Sequence, residues 1–253
     1  MGLSFSMGAV EAVMLASVRI VAFLMIAPPF NHSAIPARVK AMLSVGLALA
    51  VAPVVVPGYV EQATGAFFVS LILSLVTGAV LGFLVWLAFA AVQSAGSAID
   101  LFGGFQLAMG YDPGSQVNGA QFTRIFQMTS LVLLFTSGGY LLVIGGLLRT
   151  FDAIPVSGGL DLAHPAQLLV STTSSMFLST LQIAGPLIVI LFLADAGLGL
   201  LTRVAPALNA FQLGYPLKIM ITLGLAGMVF VALPQVVSSL SREAVDIMLG
   251  AVS

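Results

Sequence analysis

The feature that most constrains the fold is a series of long stretches without a charged residue. Charge-free stretches cover 41–60, 62–99, 125–148, 162–194 and 219–241, and residues 12–30 are interrupted only by Arg19. A helix needs about 20 mainly apolar residues to cross the hydrocarbon core of a bilayer. The sequence therefore predicts an all-α, integral-membrane-type fold with about six hydrophobic helices.

The composition argues against several other classes of protein. Hydrophobic residues make up 60% of the chain and charged residues 7%, whereas soluble domains carry roughly 25% charged residues. A soluble fold would expose large apolar patches, and the runs are too long for the short alternating strands of a membrane barrel. The net charge of −1 and the absence of cysteine give no signal for nucleic-acid binding, disulfides or thiolate metal sites.

Clusters of proline and glycine divide the apolar stretches into separate helices. Proline lacks a backbone donor and glycine favours turns, so such clusters end or break helices. They predict helices near residues 10–29, 41–57, 66–92, 125–148, 174–202 and 219–238, with Pro206 and Pro216 marking one break. Because no polar linker separates the helices, residues 1–253 are predicted to form a single domain. The distribution of basic residues favours an N-terminus outside the cytoplasm.

Glycine recurs inside the predicted helices. Gly78 and Gly82 form a G-x-x-x-G pair, and further glycines lie at 138–139, 145–146, 197, 199, 224 and 227. Small residues allow helix backbones to approach closely. The glycines together predict extensive helix–helix contacts.

The histidines give little support for catalysis or metal binding. His32 and His164 are the only histidines, and each lies among loop-type residues rather than in a metal-ligating spacing. No nucleophile-elbow or phosphate-loop motif is present. The sequence therefore predicts a protein that is not an enzyme and binds no cofactor or metal.

Two acidic residues, Asp100 and Asp195, lie within or beside long apolar segments. Charges at membrane depth are costly and often functional, so the pair could couple ions in a secondary transporter or form an intramembrane protease site. The alternative that we favour is pairing with a basic neighbour, such as Asp195 with Arg203 or Arg19.

Two irregular segments interrupt the helices. Residues 103–114 combine several glycines with Phe105, Leu107, Met109 and Tyr111. Irregular backbone at membrane depth must be buried in protein or line a cavity, so this segment is either a plug or an interfacial loop anchored by Tyr111, and its residues favour neither. Residues 203–218 contain two prolines that prevent one continuous straight helix.

The second irregular segment, R-V-A-P-A-L-N-A-F-Q-L-G-Y-P-L-K at 203–218, resembles the hallmark segment of the FliR family of flagellar type III export-gate proteins, whose injectisome relatives form the SctT family. Residues 27–40 are similar to the family's first loop. The run D-P-G-S at 112–115, followed by Asn118 and Arg124-Ile125, and the F-D-A-I-P-V-S-G-G segment at 151–159, with one inserted serine, are also similar to family motifs. The matches extend over nearly the whole chain.

This resemblance implies a structural subunit of a protein export gate at the bacterial inner membrane, in the flagellar basal body. Such subunits form a conduit with FliP-like and FliQ-like partners, contact FlhB-like and FlhA-like proteins, and pass unfolded flagellar proteins. An injectisome gate subunit is the alternative within the same superfamily. The helices are expected to form kinked hairpins, with the gate core raised toward the periplasmic side.

The resemblance also implies roles for particular residues. A plug that seals the closed channel would include Gly103, Gly104, Phe105, Leu107, Met109, Gly110, Asp112 and Pro113. Structural motif residues would be Arg38, Arg203, Pro206, Asn209, Phe211, Gly214, Pro216 and Lys218.

Overall fold

The chain is an all-α integral membrane protein. A computed structural model describes residues 6–105, 121–158, 163–205 and 210–252, with the backbone alone at 163–166 and 210–213. These residues form seven helices and no strand: α1 (Met7–Ile26), α2 (Ala37–Val55), α3 (Thr64–Phe102), α4 (Gln121–Thr136), α5 (Gly139–Ala153), α6 (Ala163–Val204) and α7 (Ala210–Gly250). Five of these helices are long and apolar enough to cross a membrane, or six spans if α4 and α5 count as one bent span.

Three helices are much longer than the sequence predicted. Helices α3, α6 and α7 contain 39, 42 and 41 residues. Pro216 lies inside α7, so the prediction that it marks a break between two helices was wrong. Pro186 and Pro234 also lie within helices. A proline removes one backbone donor, and a long helix that retains its other hydrogen bonds can continue through it.

The predicted helix at 125–148 is divided in two. Helix α4 ends at Thr136 and α5 begins at Gly139, with Gly138 between them at φ +73°. Residues with a Cβ rarely adopt this left-handed conformation. Glycine therefore permits the bend that separates α4 from α5.

Backbone contacts group the chain into two compact units, each built from several stretches of sequence. Unit 1 contains residues 1–88, 134–173 and 239–253, and unit 2 contains 89–133 and 174–238. The long helices α3, α6 and α7 each contribute residues to both units. The single domain that the sequence suggested remains a prediction.

In unit 1, the G-x-x-x-G pair of α3 brings this helix close to α1. A Cβ on Gly78 would collide with the backbone carbonyl of Arg19, and one on Gly82 would lie 3.0 Å from the carbonyl oxygen of Phe23. The face of α1 toward the core includes the fully buried Leu15 and Ile20. The predicted close helix contact is thus confirmed for Gly78 and Gly82.

Arg19 is fully buried in this core, and its guanidinium binds backbone carbonyls. It donates to the carbonyl oxygens of Ile154 and Pro155 at 2.8 and 3.0 Å, and its Cζ lies 4.6 Å from the centroid of the Phe151 ring. These carbonyls directly follow the last turn of α5, where the helix dipole favours a cation. The suggested pairing of Asp195 with Arg19 was wrong, because Arg19 caps the end of α5.

A small polar cluster attaches the loop after α2 to the first turns of α1. The Glu11 carboxylate accepts hydrogen bonds from the Tyr59 hydroxyl at 3.0 Å and the Gln62 amide at 3.3 Å. Desolvation and the hydrogen bond to Glu11 raise the pKa of Tyr59 to about 12. Glu11, the first acid of the chain, therefore has a structural partner.

Candidate functional site

The predicted plug segment begins where α3 ends. Helix α3 ends at Phe102, the Gly103 amide donates to the Ile99 carbonyl at 2.8 Å, and Gly104 has φ +80°. This glycine-dependent turn agrees with the predicted loss of helix at this point. The other predicted plug residues lie outside the described part of the chain: Leu107, Met109, Gly110, Asp112 and Pro113.

Asp100, one turn before the end of α3, holds the start of α4. Its carboxylate is fully buried and accepts from the backbone amides of Phe122 and Thr123, at 2.9 and 2.8 Å, and from the Thr123 hydroxyl at 2.7 Å. The first amides of a helix lack partners within that helix. Asp100 thus supplies acceptors to α4 from 22 residues earlier in the chain, and the positive end of the α4 dipole favours its charge.

The backbones of α3 and α4 approach closely beside this carboxylate. A Cβ on Gly96 would lie 2.8 Å from Thr123 Cα and 2.9 Å from the Phe122 carbonyl oxygen. Only glycine leaves enough room for this contact. Residues 96–105 and 121–126 therefore form the two sides of one packed base, which we call the loop base.

Aromatic side chains fill the loop base. The Phe105 and Phe122 rings meet edge to face with their centroids 5.1 Å apart. The Phe122 ring also meets the Phe126 ring edge to face, with centroids 6.2 Å apart. Phe126 in turn contacts Phe230 of α7, with centroids 5.3 Å apart. Such pairs stabilise by about 0.5–1.5 kcal/mol each beyond their buried area. Phe105, predicted as a sealing side chain of the plug, here packs into the base.

Gly104 of the first irregular segment and Tyr215 of the second meet beside the loop base. A Cβ on Gly104 would lie 3.0 Å from Cδ1 of Tyr215, and one on Gly103 would lie 2.9 Å from the Thr222 hydroxyl. Tyr215 belongs to the motif segment 203–218, and Gly103 and Gly104 begin the predicted plug segment. Sequence reasoning singled out both segments separately but contained no signal that they touch.

The second acid, Asp195, pairs with a lysine of the motif segment. Lys218 Nζ lies 2.5 Å from Asp195 Oδ1, with the lysine side chain 16% and the aspartate side chain 45% exposed. A cavity of about 250 Å³ adjoins the pair and is lined in part by Tyr215, Thr202 and Gly214. The prediction that Asp195 has a basic neighbour is confirmed, but the neighbour is Lys218 rather than Arg203 or Arg19.

The remaining motif residues occupy varied positions. Gly214 is buried, Pro216 lies within α7, Arg203 is exposed in the last turn of α6, and Arg38 is exposed near the start of α2. Phe211 is described by its backbone alone, within α7, and Pro206 and Asn209 lie outside the described residues. The structure thus brings Gly214 and Lys218 to one cavity and leaves Arg38 in unit 1.

His32 lies in a loop, as the sequence suggested, whereas His164 lies in a helix. His32 Nδ1 accepts from the Ala34 amide at 3.1 Å within its own loop. The backbone places His164 in the first turn of α6, and its side chain is not described. Among the described residues, no three His, Cys, Asp or Glu side chains are grouped to hold a metal.

Helices α6 and α7 leave most of their apolar surface uncovered. In the most apolar window of each, only 17% of the residues are buried, against 44% in α3. Their large exposed side chains include Val204, Met220, Met228 and Val231. Within the described structure, a Cβ on Gly197, Gly199, Gly224 or Gly227 would meet no atom within 4 Å. The close contacts that the sequence predicted for these four glycines are therefore not made within the described part of this chain.

These features define a helical membrane protein with long apolar helices and a packed loop base. Residues 10–244 match the family of bacterial export proteins, family 1, and the chain belongs to this family. The resemblance that the sequence motifs indicated is therefore confirmed.

The individual relatives include flagellar biosynthetic proteins and a translocation protein. The chain is 33% identical to flagellar biosynthetic protein FliR of Escherichia coli (strain K12), over 82% of this chain and 79% of that protein. It is 32% identical to flagellar biosynthetic protein FliR of Pectobacterium carotovorum subsp. carotovorum, over 91% of this chain and 88% of that protein. Yop proteins translocation protein T of Yersinia pestis is 29% identical, over 68% of this chain and 67% of that protein.

Proposed function

We propose that this chain is a structural subunit of the flagellar type III export gate and forms part of the conduit for unfolded flagellar proteins. The observation that supports this most directly is the match of residues 10–244 to a family of bacterial export proteins. Alignments with flagellar relatives over most of the chain agree with it. The exposed apolar faces of α6 and α7 fit a subunit whose helices pack against other proteins. In this role the chain catalyses no reaction and needs no cofactor.

The partners in this proposal are FliP-like and FliQ-like subunits in a hetero-oligomer, with FlhB-like and FlhA-like export proteins nearby. The complex would lie in the inner membrane within the flagellar basal body, with its core raised toward the periplasm. Co-purification tests this directly. A chain that never co-purifies with FliP-like and FliQ-like subunits, and behaves as a stable monomer in detergent, would contradict the proposal.

The proposed function of residues 103–113 is to plug the closed conduit. The described start of this segment supports it, because Gly103, Gly104 and Phe105 are held in the packed loop base. A segment anchored in this way can project into a channel without displacing its helices. A second set of residues, those of the family motifs, is proposed to support the helices structurally: Arg38, Arg203, Pro206, Asn209, Phe211, Gly214, Pro216 and Lys218.

Replacing residues 106–113 with a glycine-serine linker of equal length tests the plug. The change retains Gly104 and Phe105, so the described contacts of the loop base remain. We expect assembled gates with this linker to leak ions and small molecules across the membrane. Unchanged permeability of fully assembled gates would exclude the plug role and leave subunit membership untouched.

An injectisome gate subunit is the second candidate, because a Yersinia translocation protein is also a relative. The Yersinia protein aligns with 68% of this chain, whereas a flagellar relative aligns with 91% of it, so the flagellar role is favoured. Complementation distinguishes the two. The flagellar proposal requires that the gene restore swimming to a bacterium lacking its flagellar counterpart.

The transporter alternative assigned coupling roles to Asp100 and Asp195. Each carboxylate has a partner that accounts for its charge, the α4 amides for Asp100 and Lys218 for Asp195. A coupling role predicts that Asp195→Asn abolishes transport while assembly continues. The export-gate proposal predicts that flagellar export continues in this variant.

A further inference from the structure

We propose that Asp100 is the positioning residue of the loop base: its buried carboxylate fixes the start of α4 to the end of α3, and so holds the described residues Phe105 and Gln121 in place. Only the effect on leakage that is expected from this inference rests on the proposed plug role. The positioning itself follows from described residues.

The first step is the burial of the carboxylate. Asp100 has no exposed surface, and its two oxygens accept from Phe122 and Thr123. A buried carboxylate is costly unless its charge is compensated by hydrogen bonds or a cation. Among the described residues, the ion pair between Asp195 and Lys218 is the only salt bridge, so amides and a hydroxyl compensate Asp100.

The second step is the origin of these donors. Helix α4 begins at Gln121, so the amides of Phe122 and Thr123 belong to its first turn. Amides there have no acceptor within their helix and point outward along its axis. An ionised acceptor at this end gains from the helix dipole as well as from charge-assisted hydrogen bonds. A capping side chain normally belongs to the residue just before the helix. Here it comes from a different helix, 22 residues earlier.

The third step is the geometry on either side of the carboxylate. Gly96, one turn before Asp100, touches the backbone of Phe122 and Thr123, and Phe105, one turn after it, packs on the Phe122 ring. Asp100 lies between these apolar contacts and is the only one of the three that depends on charge. Loss of its charge should therefore loosen the start of α4 while the aromatic packing still holds the helices together.

Hydrogen exchange at the amides of Phe122 and Thr123 tests the inference in the assembled complex. First-turn amides exchange readily in most helices, so the hydrogen bonds to Asp100 should protect these two amides in the unaltered protein. In Asp100→Asn, a substitution of nearly equal size, we expect exchange at both amides to rise about tenfold, as for one lost charge-assisted hydrogen bond. Asp195→Asn is the matched control, and it should leave exchange at these amides unchanged.

A milder variant keeps the test decisive if Asp100→Asn fails to assemble. Thr123→Val removes only the hydroxyl donor, and we expect a smaller rise in exchange at the same two amides with assembly retained. Rapid exchange of both amides in the unaltered protein, or unchanged exchange in the variants, would overturn the inference.

Leakage then connects the loop base to closure. We expect assembled Asp100→Asn gates to leak, as linker-replaced gates do, because Phe105 and Gln121, the described residues that flank the proposed plug, are then held less firmly. If only the linker variant leaks, Asp100 has no role in closure and the plug proposal stands. If neither leaks, the plug proposal fails, and the exchange measurement alone decides whether Asp100 positions α4.

Discussion

At the scale of single residues, two buried charged groups, those of Arg19 and Asp100, bind backbone groups. Arg19 donates to two carbonyls at the end of α5, and Asp100 accepts from two amides at the start of α4. Both contacts complete a helix end that would otherwise leave polar groups without partners. A charge buried in an apolar chain can therefore serve as a helix cap, without any part in ion transport.

Replacing Arg19 should strongly destabilise unit 1. Arg19→Met keeps much of the side-chain volume but leaves the buried Ile154 carbonyl without its donor, at a cost of about 1–3 kcal/mol. The Pro155 carbonyl, on an exposed residue, adds less because water can replace the donor. We expect a clearly lower melting temperature in detergent. The matched control is Arg242→Met in α7, where the arginine is exposed and little change is expected. Equal melting temperatures for both variants would contradict this assignment.

Arg19→Lys separates charge from geometry at the same site. An ammonium group keeps the positive charge, but it lacks the planar fork with which the guanidinium reaches both carbonyls. We expect a stability between those of the unaltered protein and Arg19→Met, measured by the same thermal unfolding. A lysine variant as stable as the unaltered protein would show that charge alone suffices.

At the scale of helices, glycine sets the distance between α1 and α3. Gly78→Ala places a methyl group against the Arg19 carbonyl, so the helices must separate and the core of unit 1 loosens. Overpacking of this kind typically costs about 1–3 kcal/mol. Gly46→Ala in α2 is the control, because its Cβ meets no described atom within 4 Å and alanine favours helix by about 1 kcal/mol. Thermal unfolding should show opposite shifts for the two variants.

The turn after α3 allows backbone strain to be separated from side-chain contact. Gly104 and Gly58 both have positive φ, +80° and +90°, but only Gly104 faces a neighbour, Tyr215. Alanine at either position pays a conformational cost of about 1–2 kcal/mol. We expect Gly104→Ala to lower the stability more than Gly58→Ala does, because the added methyl group also displaces Tyr215. We also expect it to increase leakage of assembled gates. Identical thermal shifts for the two variants would argue against a tight Gly104–Tyr215 contact.

At the scale of the whole molecule, the uncovered apolar faces of α6 and α7 agree with the proposed assembly. Val231 is 83% and Met228 73% exposed, and both lie on α7. Such a surface must be covered by lipid or by protein. The open glycines of these helices also allow close approach by another helix.

Because the chain has no cysteine, single cysteines can report what covers these faces. A photo-crosslinker attached at Val231→Cys or Met228→Cys should capture another protein subunit in the assembled gate. Leu233→Cys, at a fully buried position of the same helix, is the control and should react poorly with the reagent. Adducts with lipid alone would show that the exposed face of α7 borders the bilayer.

The sequence by itself determined the features that depend on neighbouring residues. Charge-free runs predicted the apolar helices, Gly78 and Gly82 predicted one close helix contact, and Gly103 and Gly104 predicted a helix break, although the helix predicted near 66–92 continues to Phe102. These predictions succeeded because helix formation, periodic spacing and glycine turns are local properties. The lengths of α6 and α7 were underestimated, since internal prolines and polar residues did not end these helices.

The tertiary structure alone decided which distant groups meet. Asp100 binds the start of α4, Arg19 caps α5, Asp195 pairs with Lys218, and Tyr215 covers Gly104. Each partner lies far away along the chain, and its identity depends on how the long helices pack. From the sequence one could infer only that a buried charge must be compensated by another group. Only the packed helices could supply the group that compensates it.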